Sequence, residues 1–280
     1  MAWHRQRVRQ SANVPVSGIA GYWGYAAHDI PATVFAGFVD SLAHRGPDGS
    51  GINHFPDMRL WLGHRRLSLL EPALEGRQPL ADAKRRYWLT FDGTIYNEHT
   101  LRHQLRALGH SFASRSSAEM VLAAYAQWGA DCLRRFDGIW AVAILDSRDR
   151  RLLLARDNSG LKPLHYILGD GAVAFASEPQ AFLRLPCTGD AFGPGVGAGT
   201  LCHANKQEPK SRTWPHGLRG LRAGHALIIE ATGQIRESFS KRSWYVSFQY
   251  PAGPTMPLRF CRNRRRQPRD RRRRRRHHHR

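Results

Sequence analysis

Acidic residues and cysteines are scarce in this chain. Of its 280 residues only 22 are Asp or Glu against 43 Lys or Arg, a formal charge of +21. Cys132, Cys187, Cys202 and Cys261 are scattered without any Cys-x-x-Cys spacing. That argues against a zinc site or a disulfide framework and for buried or idle thiols; no metal ligands are expected. No apolar run approaches the roughly 18 residues that a membrane span needs. Residues 1–16 are basic and polar with no apolar centre, so they do not read as a secretory signal. A cytoplasmic location without membrane association is the expectation.

The positive charge is unevenly spread. Residues 251–280 hold 13 arginines and one aspartate, net +12, which leaves +9 for the preceding 250 residues. Most of the basic character is therefore a tail. The remainder, in a chain that is 41% hydrophobic, suffices for one good core.

Ser17-Gly18-Ile19-Ala20-Gly21-Tyr22-Trp23 alternates tiny residues with Ile19 and Tyr22, the pattern of a buried strand that other groups approach closely. Residues 31–42 are expected to be helical, with Val34, Phe38 and Leu42 at i, i+4, i+8. Arg59 to His64 and Tyr87 to Phe91 read as strands, the second broken by Asp92-Gly93. Leu101, Leu105 and Leu108 form a helix face that Gly109 stops. Ser116 and Glu119 make a capping box for a helix running to Trp128. Hairpins are expected at 139–155, 163–176 and 224–236. Strands with helices inserted between them, rather than alternating one for one, indicate an α+β fold with stacked antiparallel sheets.

Four stretches in order carry a resemblance: Ser17 to Trp23, His44-Arg45-Gly46-Pro47-Asp48-Gly49, Gly63-His64-Arg65-Arg66-Leu67-Ser68, and Phe91-Asp92-Gly93-Thr94-Ile95-Tyr96-Asn97. Together they resemble the class-II glutamine amidotransferase domain of asparagine synthetases. Arg156 to Leu164 and Phe175 to Glu178 follow the same pattern. The resemblance implies the four-layer α-β-β-α sandwich of N-terminal-nucleophile hydrolases. It divides the chain into a flexible leader (1–16), an amidotransferase-like domain (17–185), a partial linker to a missing synthetase domain (186–250) and a disordered Arg-rich tail (251–280). Family members continue into a domain with a Ser-Gly-Gly-x-Asp-Ser phosphate loop that uses ATP and Mg; that loop is not in this sequence, so no cofactor is expected here. The glycine- and arginine-rich decay after residue 186 reads as a truncated or frame-disrupted product.

The family hydrolyses glutamine to glutamate and ammonia and supplies the ammonia to asparagine synthesis. Its nucleophile is an N-terminal cysteine whose own α-amine is the base. Here Ser17 holds that position, and a peptide bond to Val16 ties up its nitrogen. The family's oxyanion-hole Asn-Gly becomes Asp92-Gly93, and the glutamate that follows becomes Thr94. An ionised Asp92 only accepts hydrogen bonds. Losing one oxyanion donor costs on the order of 3–4 kcal/mol, and repulsion between like charges in a dry pocket is expected to add to it. Arg66 matches the residue that pairs with the glutamine α-carboxylate, and Leu67, Ser68, Leu69 and Leu70 complete that segment. The aspartate that receives the α-ammonium is Ser117.

Three readings follow from these residues. In the first, the chain is an amidotransferase-like domain with an impaired or inactive glutaminase, binding glutamine or a related amino acid weakly and serving a separate synthetase domain or subunit. In the second, the arginines of 259–280 attach a non-catalytic scaffold to nucleic acid without sequence preference. In the third, cleavage between Val16 and Ser17 releases a serine hydrolase. Whether the chain is an enzyme stays open on the sequence.

Overall fold

The computed structural model of the chain describes residues 17–26, 29–67, 77–169, 171–185, 218–239 and 246–248. The leader, the Arg-rich tail, Ser68, Leu69 and Leu70 lie outside the described residues.

The elements run β1 (Gly18–Trp23), α1 (Ala32–Asp40), β2 (Gly49–Phe55), β3 (Leu60–Arg66), β4 (Leu80–Ala81), β5 (Tyr87–Ile95), α2 (Glu98–Ala107), α3 (Ser117–Trp128), β6 (Gly138–Asp146), β7 (Arg151–Arg156), β8 (His165–Gly169), β9 (Ala172–Ala176), β10 (Leu218–Gly220), β11 (His225–Glu230), β12 (Ile235–Phe239) and β13 (Val246–Phe248). One antiparallel sheet has the order β10-β8-β9-β1-β3-β2, the other β13-β12-β11-β7-β6-β5-β4.

Side-chain alternation makes these sheets two-faced. On β1, Ile19 and Trp23 point to one side and Ala20 and Tyr22 to the other; on β6, Ala141, Ala143 and Leu145 oppose Trp140, Val142 and Ile144. Ile19, Trp23, Leu60 and Leu62 meet Ala141, Ala143, Leu152 and Leu154 in the core between the sheets. The outer face of the first sheet is covered by α1, that of the second by α2 and α3. The result is the expected α-β-β-α sandwich. Burying a side chain such as Phe38, Met120 or Leu122 in these layers contributes about 1.5–3 kcal/mol each.

Several local expectations need correction. Of the expected stripe Phe38 and Leu42 are buried, Leu42 just beyond the end of α1, whereas Val34 is only half-buried and Phe35 and Val39 are buried in its stead. Leu108, expected on the buried face of α2, is 52% exposed, because the helix has ended by then. Strand β5 does not break at Asp92-Gly93; it pairs with β6 from Tyr87 to Ile95. A Cβ at Gly93 would lie 2.4 Å from the Ile139 carbonyl and 2.6 Å from Trp140 Cα. Glycine there permits close approach of two strands rather than a turn. Ser116 does cap α3, accepting from Ala118 N at 3.2 Å, but Glu119 turns to the Ala113 and Ser114 amides instead of completing a capping box. Past residue 185, β10 joins the first sheet and β11 to β13 join the second, so the expected linker contributes strands to the sandwich itself.

Candidate active site

The start of β1 and the middle of β5 face each other at one end of the sandwich. Asp92 shares the inward face of β5 with Trp88 and Thr90, which puts its buried carboxylate between the sheets. Arg45, from the turn after α1, enters the same space and is 8% exposed. Its guanidinium makes three contacts: Nε donates to the Ser17 carbonyl at 2.9 Å, Nη1 to Glu178 Oε1 at 3.0 Å, and Nη2 to Asp92 Oδ2 at 3.2 Å. Lys162 Nζ donates to the other oxygen of Asp92 at 2.9 Å.

Local motifs present each of these charges. Lys162 sits in the β7–β8 loop, whose shape is set by Arg156 and Asp157. Asp157 Oδ1 accepts from the amides of Ser159 and Gly160, and Oδ2 from Trp140 N at 3.0 Å. Arg156 Nε donates to the Lys162 carbonyl at 2.7 Å. Glu178 follows β9, which is pinned to β1 by Ser177: Ile19 N donates to its Oγ at 2.9 Å, and its own N–H returns to the Ile19 carbonyl. His44 adds a contact from Nε2 to Glu178 Oε2 at 2.8 Å.

The four charges are two cations and two anions, with Arg45 and Asp92 buried and Lys162 and Glu178 half-buried. The like-charge penalty expected at Asp92 is therefore offset, because each oxygen already has a cationic donor. The donor deficit remains, since a carboxylate has no N–H to offer an oxyanion. Ser17 Oγ accepts a hydrogen bond from Leu67 N at 3.2 Å. Among the described residues no basic nitrogen contacts that hydroxyl.

Arg66 closes β3, with its backbone paired to Gly49 and its carbonyl accepting from Asp48 N at 3.0 Å. Thr94 is exposed, two residues beyond Asp92 on β5. Ser117 opens α3 and donates to Glu98 Oε2 at 2.5 Å; Glu98 Oε1 accepts from Arg102 Nε at 2.7 Å. Arg102 also donates to the Ser116 carbonyl at 2.6 Å and the Ser114 carbonyl at 3.2 Å.

Two histidines nearby stay neutral. Burial lowers His64 on β3 to about 4, outweighing a hydrogen bond to the Phe91 backbone. His165 on β8 is likewise lowered to about 4 by burial, against a hydrogen bond to the Ser177 carbonyl. Burial pushes the Cys132 thiol far up, and that thiol is unpaired. Among the described residues, no group of three or more His, Cys, Asp or Glu converges as metal ligands, and no helix is long and apolar enough to cross a membrane.

The sequence singled out Ser17 at the nucleophile position and Asp92 and Gly93 at the oxyanion-hole positions; in the structure Arg45 contacts both the Ser17 carbonyl and Asp92. Sequence reasoning missed Arg45, Lys162, Glu178 and Glu98. The signal was available for three of them: Arg45, Lys162 and Glu178 each stand inside a stretch that carries the resemblance.

Comparison with known proteins agrees with this architecture. The family described as "Glutamine amidotransferase domain" matches residues 16–244. Asparagine synthetase (glutamine-hydrolyzing) 3 of Bacillus subtilis is 37% identical over 151 residues, 53% of this chain and 24% of the relative. Asparagine synthetase (glutamine-hydrolyzing) 2 of Arabidopsis thaliana is 38% identical over 141 residues, 50% of this chain and 24% of the relative. The chain thus spans about a quarter of the length of these relatives. The fold also matches glutamine phosphoribosylpyrophosphate amidotransferase of B. subtilis with a TM-score of 0.60 at 21% identity, over 81% of this chain and 50% of that one. A family match over most of its length, on a fold of the same kind, makes this chain a member of the class-II glutamine amidotransferase family whose curated relatives are asparagine synthetases.

Proposed function

We propose that this chain keeps the amino-acid cleft of a class-II glutamine amidotransferase but not the glutaminase chemistry, and that it serves as a scaffold for a synthetase module that draws on free ammonia or another amine. The observation that carries this reading is the seating of Asp92 between Lys162 Nζ and Arg45 Nη2. Amide hydrolysis needs a nucleophile to add to the carbonyl carbon while donors stabilise the oxygen as it gains charge. At Asp92 the oxyanion would meet an acceptor, and the two cations beside it are already engaged with that acceptor. Ser17 lacks a free α-amine to take its proton, and its hydroxyl oxygen is held by the Leu67 N–H.

Glutamate release from L-glutamine tests the reading. The chain with its residues 1–16 in place is expected to show background only. A variant beginning at residue 17 and carrying Ser17→Cys, Asp92→Asn and Ser117→Asp should gain turnover. Turnover by the unaltered chain at the ~10 per second typical of enzymes would overturn the proposal.

A further inference from the structure

At the end of the sandwich away from Ser17, turns of both sheets enclose a cavity of about 110 Å³. Strand β1 begins beside Ser17 and ends at Trp23, so its extended chain, about 20 Å long, separates the two ends. Arg59 and Arg150 line the cavity, together with Trp23, Tyr25, Asp57 and Met58. Arg59 precedes β3 of the first sheet and Arg150 precedes β7 of the second, so each sheet supplies one guanidinium. Both take a left-handed backbone, at φ 51° and 49°; among the described residues Arg85 is the one other non-glycine that does so. Glycine would make either turn without strain, and strained positions of this kind gather at binding sites. Neighbouring turns clamp both backbones. Gly24 N donates to the Arg59 carbonyl at 3.0 Å, and Ala231 N to the Arg150 carbonyl at 3.2 Å.

The geometry points to a phosphate site between Arg59 and Arg150, taking inorganic phosphate or the phosphoryl group of a small phosphomonoester. Arg150 reaches across to the turn of the other sheet, where its Nη2 donates to the Asp57 carbonyl at 3.1 Å. That bond aims the guanidinium and uses one of its five N–H donors. A carboxylate ligand has two oxygens, which a single guanidinium fork fills. A tetrahedral phosphoryl group has enough oxygens to meet a cation on each side. With Asp57 the lining holds two cations to one anion, so an anion is the favoured occupant. Glu230, which precedes Ala231, is engaged by Arg151 and Arg236. Buried Trp23, edge-on to Tyr25 with ring centroids 5.8 Å apart, gives the cavity an apolar wall, which strengthens charge interactions beside it. Pockets for whole small molecules measure roughly 300–1,000 Å³, so this one suits a phosphate group and not a nucleotide. The site is independent of the reading proposed above for Ser17 and Asp92.

Calorimetry on the full chain at fixed ionic strength tests this with sodium phosphate, methyl phosphate and acetate as probes. The wild type should bind one phosphate saturably, with acetate weaker by about tenfold or more, the range of one charge-assisted hydrogen bond. Methyl phosphate bound as tightly as phosphate marks a phosphomonoester as the ligand, and binding of phosphate alone marks the free ion; either supports the site. Glycine suits a left-handed backbone, so Arg59→Gly and Arg150→Gly should both fold, and each should weaken phosphate by about tenfold or more. The arginines of 251–280 also attract anions, but neither substitution touches them. Phosphate affinity unmoved by both substitutions places the binding on that tail and overturns the assignment. Absence of saturable phosphate binding by the wild type, or acetate bound as tightly as phosphate, overturns it without any variant.

Discussion

Lys162 Nζ stands 2.9 Å from Asp92 Oδ1 across a separation of 70 residues, while Arg45 holds the other oxygen at 3.2 Å. Asp92 is thus part of the buried framework that joins the two sheets. Asp92→Asn removes the charge that balances Lys162. Unpairing a buried ion pair destabilises by about 3 kcal/mol or more. Urea unfolding of Asp92→Asn should show a loss of that size. Combining it with Lys162→Met should recover part, with a coupling of roughly 1 kcal/mol or more. Additive effects of the two changes would mean that the pair contributes nothing beyond its separate residues.

The layers of this sandwich were legible because burial imposes a period on the sequence. The alternation in β6 and β7 and the hairpin 163–176 require apolar residues wherever a strand faces a core. Strand β2 escaped notice for the converse reason. It is the sheet edge, half-buried, and Gly49-Ser50-Gly51 offers no apolar period to read. The site was legible only in part. Family positions drew attention to Ser17, Asp92 and Ser117, but the partners of Asp92 come from two remote loops, and no local pattern states that Arg45 and Lys162 converge on one carboxylate. A charge balance of this kind becomes visible only when the chain is folded.

Histidine burial predicts how stability depends on pH. His64 has an ordinary value near 6.5, and in the fold it is lowered to about 4. Below 6.5 the unfolded chain takes up a proton that the native state refuses, so stability falls as pH drops from 6.5 towards 4, where the native state also protonates. The difference is ~3 kcal/mol across that window. His165 acts in the same direction, since burial lowers it to about 4 as well. Urea midpoints at pH 8, 6 and 5 should fall in that order, and His64→Gln should flatten the slope. A midpoint independent of pH between 8 and 5 would show that His64 does not resist protonation.

Cys132 is fully buried, with its thiol pushed far above the ordinary value. The thiolate is the reactive species, so native protein should leave this residue unlabelled by iodoacetamide at pH 8. Peptide mapping by mass spectrometry should find the Cys132 peptide alkylated only after denaturation. Labelling of the native chain at a rate comparable to free cysteine would contradict the packing of α3 against the turn that follows it.

Two glycines should respond to alanine in opposite directions. Gly37 lies inside α1 and a Cβ there meets nothing within 4 Å. Its replacement removes backbone freedom from the unfolded chain without a steric cost, and should stabilise by about 0.5–1 kcal/mol. At Gly46 a Cβ would lie 2.3 Å from the Arg65 carbonyl carbon and 2.6 Å from Arg66 N. Those are backbone atoms of β3, which cannot swing aside as a side-chain tip would. Relief requires the β3 end to shift, and with it Arg66 and the Leu67 amide that holds Ser17 Oγ. Gly46→Ala should therefore cost ~1–3 kcal/mol, the usual range for overpacking. Differential scanning calorimetry of both variants measures the two effects. If Gly46→Ala melts with the wild type, the turn before Asp48 is looser than its contacts imply.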